Sequence, residues 1–116
     1  MRTVCSKTAL HEVTSNVRKA AEETLGDKLD KVILYGSYAR GDYQEDSDID
    51  ILILADVPAD KIWEARMKIG ERTGWLDLEY DVLTSLHVTD SATFYKFAEV
   101  LPFYMNVINE GIVVNA

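Results

Sequence analysis

One cysteine, Cys5, is all the thiol chemistry that this 116-residue chain carries. A single thiol forms no internal disulfide, so a reducing, cytoplasmic setting is expected. No signature surrounds Cys5, which reads as a structural thiol rather than a nucleophile. Histidine is almost as scarce. His11 and His87 each lack a cysteine, histidine or acidic partner at ligand spacing, which excludes a zinc centre. Two prolines and six glycines leave no linker and no low-complexity segment, and there are no repeats. One domain over residues 1–116 is the expectation, long enough to bury a core of its own. No run of 18 apolar residues exists, so no membrane span is expected. The start, Met1 to Ser6, lacks the apolar core of a leader peptide. Neither a serine-hydrolase elbow nor a Walker loop is present. Lysine and arginine are missing altogether from residues 41–60 and 73–95, within a chain of net charge −8. Such a surface repels a phosphodiester backbone, so direct nucleic-acid binding is disfavoured, whereas clustered carboxylates attract cations.

What the chain does contain is an alternation of helical and extended patterns. Leu10, Val13, Val17, Ala20 or Ala21 and Leu25 recur at helical spacing, which predicts a helix over residues 6–26 stopped by Gly26. Val32 to Tyr35 reads as a short buried strand ending at Gly36. Ser37 to Arg40 has room for one helical turn, and Asp42 to Ser47 is a polar loop. Asp48 to Leu54 is a second strand. Pro58 suits the start of a helix over Ala59 to Arg72, with Gly74 closing it. Leu76, Leu78, Tyr80 and Val82 alternate with Asp77, Glu79 and Asp81, which predicts a third strand over Trp75 to Leu83. Residues 91–110 read as helix with a break before Pro102, followed by the tail Ile112-Val113-Val114. The fold class is α/β (α+β), a small mixed sheet flanked by helices.

The chemistry is concentrated in one stretch. Gly36-Ser37 ends a strand and opens a short helix, whose free N–H groups and dipole can hold phosphate oxygens. By itself the pair is more often a turn with a capping serine. After ten further residues come Asp48 and Asp50. At i and i+2 on a strand both side chains point to one face. Two like charges among Ile49, Ile51, Leu52, Ile53 and Leu54 resist burial, and a divalent cation removes the conflict. The plainer reading places Asp48 at a frayed strand start and Asp50 as a cap. Asp81 is the third carboxylate candidate, with Asp77 and Glu79 on the same face of the expected strand. Arg40 either neutralises phosphate or pairs with Asp42 or Asp46. Asp42, Glu45, Asp46, Asp56 and Asp60 read as a solvated face.

Gly36-Ser37, ten residues, Asp48-x-Asp50 and then Tyr80-Asp81-Val82-Leu83 resemble the minimal nucleotidyltransferase group of the DNA polymerase beta superfamily. Ala39-Arg40-Gly41, Ser47 and the ending Asn106 to Gly111 extend the resemblance over most of the chain. It implies a polymerase-beta-like nucleotidyltransferase fold that binds ATP with Mg²⁺ on Asp48, Asp50 and Asp81. Asp48 and Asp50 would hold metal, and Asp81 would help deprotonate or orient the acceptor hydroxyl. Two metals about 3.5–4 Å apart would stabilise the attacking and leaving oxygens. Gly36 and Ser37 would hold the β- and γ-phosphates, with Arg40 as a further nucleotide contact. Members this short resemble the antitoxin of MNT–HEPN toxin–antitoxin pairs, which implies transfer of AMP to a tyrosine of a HEPN toxin. Two alternatives stay open: a non-catalytic antitoxin that blocks its partner by contact, and transfer to a small-molecule hydroxyl. So small a chain leaves the acceptor surface to a partner or a second copy. The aromatic segment Phe94 to Met105 is a candidate for that contact.

Overall fold

The computed structural model of the chain describes residues 5–115. Residues 1–4, part of the stretch that lacks a leader core, lie outside them. Helix α1 spans Lys7–Leu25 and strand β1 Leu29–Tyr35, followed by the single turn α2, Ser37–Arg40. Strand β2, Ile49–Ala55, leads through a short 3-10 turn into helix α3, Ile62–Tyr80. Strand β3 is Thr84–Asp90, α4 is Ser91–Phe97, α5 is Pro102–Glu110 and β4 is Ile112–Val113. The helix starts follow from the sequence. Ser6 Oγ accepts from Ala9 N at 3.0 Å, Asp90 Oδ2 accepts from Thr93 N at 3.0 Å, and Pro102 occupies the first turn of α5.

The four strands form one mixed sheet in the order β3-β2-β1-β4. β1 is antiparallel to both its neighbours, β2 and β4, while β2 and β3 run parallel with α3 crossing between them. β2 is the central strand, and Ile49, Ile51, Leu52, Ile53, Leu54 and Ala55 are each 0% exposed. Its two faces serve different layers. Ile49, Ile51 and Ile53 join Val32 and Leu34 against Val13, Val17 and Ala21 of α1 and Ile69 and Leu76 of α3. Leu52 and Leu54 join Ile33 against Phe94 of α4 and Val107 of α5. At about 1.5–3 kcal/mol for each large side chain removed from water, the first layer is the main source of stability. Cys5 lies buried in it, as expected of a structural thiol, and burial pushes its thiol pKa up.

One expectation is corrected. Residues 75–83 are not a strand: α3 runs through Gly74 to Tyr80, and the third strand lies at Thr84–Asp90. The alternation was a coincidence of two periods. Ala65, Ile69, Thr73 and Leu76 are the buried positions of α3, spaced three or four apart. Leu78, assigned to the inner face by the alternating pattern, is instead 89% exposed. Gly74 weakens a helix without stopping it, and the packing of Thr73 and Leu76 carries α3 past it.

This correction has a measurable consequence. A Cβ at Gly74 meets nothing within 4 Å, and the residue sits mid-helix. Gly74→Ala is expected to stabilise the protein by about 0.4–1 kcal/mol, read as a higher melting temperature. A helix closed by that glycine, as the sequence pattern predicts, would give no such gain.

Candidate active site

The site forms where β1 ends and β2 begins, on the face that α4 and α5 cover. Tyr35, the last residue of β1, pairs with Asp50, so both side chains leave the sheet on that face. Leu52 and Leu54 continue it into the apolar layer. Asp50 is therefore the point at which a buried face becomes a polar one, and it is half-buried.

The chain then turns at Gly36, whose φ of 76° and ψ of −156° suit only glycine. A Cβ there would collide with Asp50 Oδ2. The missing side chain thus lets the turn backbone lie directly against the carboxylate. Ala39 and Arg40 donate back to Gly36 O at 3.1 and 3.0 Å, and Gly41 N closes the turn on Ser37 O at 2.9 Å. The amides of Ser37 and Tyr38 open the helix, where no acceptor exists within it. Tyr38 anchors the turn from below. Its buried ring stacks on Tyr43 at 4.4 Å, and its hydroxyl accepts from Cys5 N at 3.2 Å.

Asp48 lies two residues before Asp50, just outside β2, and is also half-buried. The Asp50 carboxyl has its pKa raised, first by loss of water and then by the charge of Asp48, with His87 and Arg40 opposing. Tyr35 is pushed up to about 12 by burial and by Asp50, so its hydroxyl stays protonated. Arg40 is the residue with two readings. It bonds Asp42 at 3.2 Å and Glu110 of α5 at 3.0 Å. Its pKa is raised by both carboxylates, that of Asp42 first. It therefore ties α2 to the end of α5, with its charge reaching Asp50; Glu110 as partner is not foreseen in the sequence.

Asp81 is not on the sheet. It caps α3 in the left-handed conformation with φ 51°, exposed to solvent. Glu79, the other candidate ligand, is exposed within the helix, and Asp77 Oδ1 accepts from Thr84 N at 3.2 Å to start β3. Among the described residues no three His, Cys, Asp or Glu side chains converge to hold a metal. The expected trio of Asp48, Asp50 and Asp81 is thus reduced to the pair Asp48 and Asp50. Asp42, Glu45, Asp46, Asp56 and Asp60 are exposed, as a solvated face requires.

The residue on the sheet face beside the pair is His87. In the parallel register Asp50 pairs with Ser85 and Leu52 with His87, so His87 stands one step along the strands on the face of Asp50. Its ring lies 6.3 Å from that of Tyr35 and 5.9 Å from that of Phe103, and those two rings meet edge-on at 5.5 Å. Sequence reasoning missed it because β3 was placed too early. The signal was the alternation of Ser85, His87 and Thr89 with Leu86 and Val88.

The two remaining carboxylates fit Mg²⁺, which keeps several waters and takes one or two carboxylates together with phosphate oxygens. The glycine turn that would meet those oxygens lies directly against the Asp50 carboxylate. Without a cation the pair is a liability, and the sign is definite. A carboxyl whose folded pKa is raised costs stability as pH rises through its range and costs none once protonated. Asp50→Asn is therefore expected to raise the melting temperature of the nucleotide-free protein at pH 7, a gain that shrinks as pH falls through the carboxyl range. An unchanged or lowered melting temperature at pH 7 would contradict this account.

Comparison with known proteins bears on this arrangement. The model of the nucleotidyltransferase domain family matches residues 15–114. A Methanocaldococcus jannaschii protein, named provisionally as a protein adenylyltransferase, is 47% identical over 75 residues, 64% of this chain and 73% of the relative. A second from the same organism, with the same provisional name, is 42% identical over 84 residues, 72% of this chain and 76% of the relative. A chain in a crystal structure of a mutant MntA–HpeT toxin–antitoxin pair matches with TM-score 0.50 and 22% identity, over 88% of this chain and 72% of that one. The last likeness is one of fold.

Proposed function

We propose, from the premise that the chain belongs to the nucleotidyltransferase domain family, that it moves AMP from ATP to a hydroxyl of a protein partner. That partner is a HEPN-type toxin with a tyrosine as acceptor, and the chain acts as its antitoxin. The observation that carries the reading is the contact between Gly36 and Asp50: a backbone turn fit for phosphate lies against a carboxylate fit for the accompanying cation. The names of the Methanocaldococcus relatives support protein as the acceptor class. The name of the structural neighbour places a toxin beside a protein of this fold.

The residues divide the work. Backbone N–H groups at Gly36-Ser37, with the Ser37 hydroxyl, hold the phosphates and orient the α-phosphorus. Asp48 and Asp50 would hold Mg²⁺, which when bound neutralises the charge that builds on the phosphate and pyrophosphate oxygens. Arg40, tied to Asp42 and Glu110, adds positive potential without a fixed bond to the nucleotide. Protonated Tyr35 offers a donor beside Asp50. No helix among the described residues is long and apolar enough to cross a membrane.

A specific observation also favours a second reading. With Asp81 off the sheet, the carboxylate set is one short of the expected three. A contact-only antitoxin with a vestigial site would tolerate that loss. The test is transfer of label from α-labelled ATP, with Mg²⁺, to a co-expressed toxin partner. Wild type is expected to label the partner, and Asp48→Asn with Asp50→Asn to lose at least about 100-fold of that rate while remaining folded. Full neutralisation of the toxin by the unlabelling double variant would establish contact inhibition instead.

A further inference from the structure

The trio expected from the sequence leaves an unfilled role. On the transfer reading some group has to receive the acceptor hydroxyl's proton as it attacks, and Asp81 caps α3 rather than lying on a strand. The parallel pairing of β2 and β3 puts His87 on the face of Asp50, two residue pairs further along. It is the middle residue of β3 and exposed, with Ser85 and Thr89 on either side of it on that face. Tyr35 and Phe103 hold its ring from two other elements, at 6.3 and 5.9 Å between centroids. No hydrogen bond engages its nitrogens among the described residues, so packing fixes the ring while an imidazole nitrogen stays available to a substrate.

Resting on the nucleotidyl-transfer reading, we infer that His87 is a catalytic residue that receives the proton of the acceptor hydroxyl. The hydroxyl oxygen forms its bond to the α-phosphorus as its proton passes to the imidazole. The bond from the α-phosphorus to the bridging oxygen breaks, and its electron pair leaves with pyrophosphate. The imidazolium so formed faces Asp50, whose charge stabilises it, and its exposure lets the proton pass to solvent. An imidazole is suited to this task because it can take a proton without placing a third carboxylate in a site that already crowds two. The opposing influence of His87 on the Asp50 carboxyl is consistent with that proximity.

Two substitutions separate this role from packing. His87→Phe keeps a ring between Tyr35 and Phe103 and removes the nitrogens, whereas His87→Asp restores a proton acceptor without the ring. Single-turnover transfer from α-labelled ATP to the partner, ATP affinity by calorimetry and the melting temperature are measured together. His87→Phe is expected to slow transfer about 100-fold or more, with ATP affinity within about threefold of wild type and the fold intact. His87→Asp is expected to recover most of the rate. A His87→Phe protein that transfers within about threefold of wild type overturns the assignment, and so does one that loses ATP binding along with rate. A wild type that binds ATP yet labels no partner overturns the transfer reading itself and this role with it. Asp50→Asn serves as the control that abolishes transfer with His87 in place.

Discussion

Everything at this site depends on one carboxylate, that of Asp50, held where a fully buried strand meets the surface. The residue before it and the five after it are sealed from water, so the backbone that carries Asp50 has no freedom to move it elsewhere. The neighbouring strand then brings Gly36 so close that even a methyl group would strike the carboxylate. Desolvation and the nearby Asp48 both oppose the ionised form. A structure selected for stability alone gains nothing from that arrangement. On the proposed function it becomes useful when a cation and a polyphosphate arrive together, because the charges that oppose one another would then be ligands of the complex.

The sheet converts this local constraint into a site with sides. On the proposed function β1 leads into the phosphate turn, β2 carries Asp50 with Asp48 just before it, and β3 carries the imidazole, so each strand contributes one part. The antiparallel pair fixes Tyr35 opposite Asp50, and the parallel pair fixes the offset of His87. The remaining borders come from the C-terminal helices. Phe103 closes the aromatic shelf, and Glu110 reaches Arg40 across the mouth of the turn. That ion pair is exposed and contributes little to stability, so its effect is on orientation. It holds the Arg40 charge beside the Gly36 turn, where on the proposed function it adds positive potential without a fixed nucleotide contact.

The half of the molecule that builds the phosphate turn was legible because short-range rules govern it. A strand ending in Gly36, a one-turn helix and an acidic strand after ten residues each follow from local pattern, and the structure places them within a residue or so of the reading. Leu29 to Lys31 escaped notice as part of β1 because only Val32 to Leu34 are buried there. The failure over residues 75–83 has a different cause. Leu76, Leu78, Tyr80 and Val82 satisfy a period of two, yet tertiary packing selects Leu76 and Val82 for burial and leaves Leu78 in water. Nothing local distinguishes the two outcomes; the register of α3 is set upstream by Ala65 and Ile69. Misplacing that strand also hid His87 and overvalued Asp81, so a single wrong period displaced one of the residues assigned to the chemistry.

An imidazole in place of a carboxylate alters more than the identity of a base. Three acids would require greater compensation from metal ions, and in their absence a larger electrostatic penalty. On the proposed reading, with two acids and an imidazole, a single cation balances the carboxylates, and the nucleotide's own charge falls to the turn amides and to Arg40. The arrangement also makes β3 tolerant of exposure. His87 is exposed on that strand, with its ring beside those of Tyr35 and Phe103. The same placement suits an acceptor from outside: β3 is the edge of the sheet on this side and His87 is exposed, so on the proposed reading another molecule's hydroxyl can complete the line from proton acceptor to α-phosphorus to leaving oxygen.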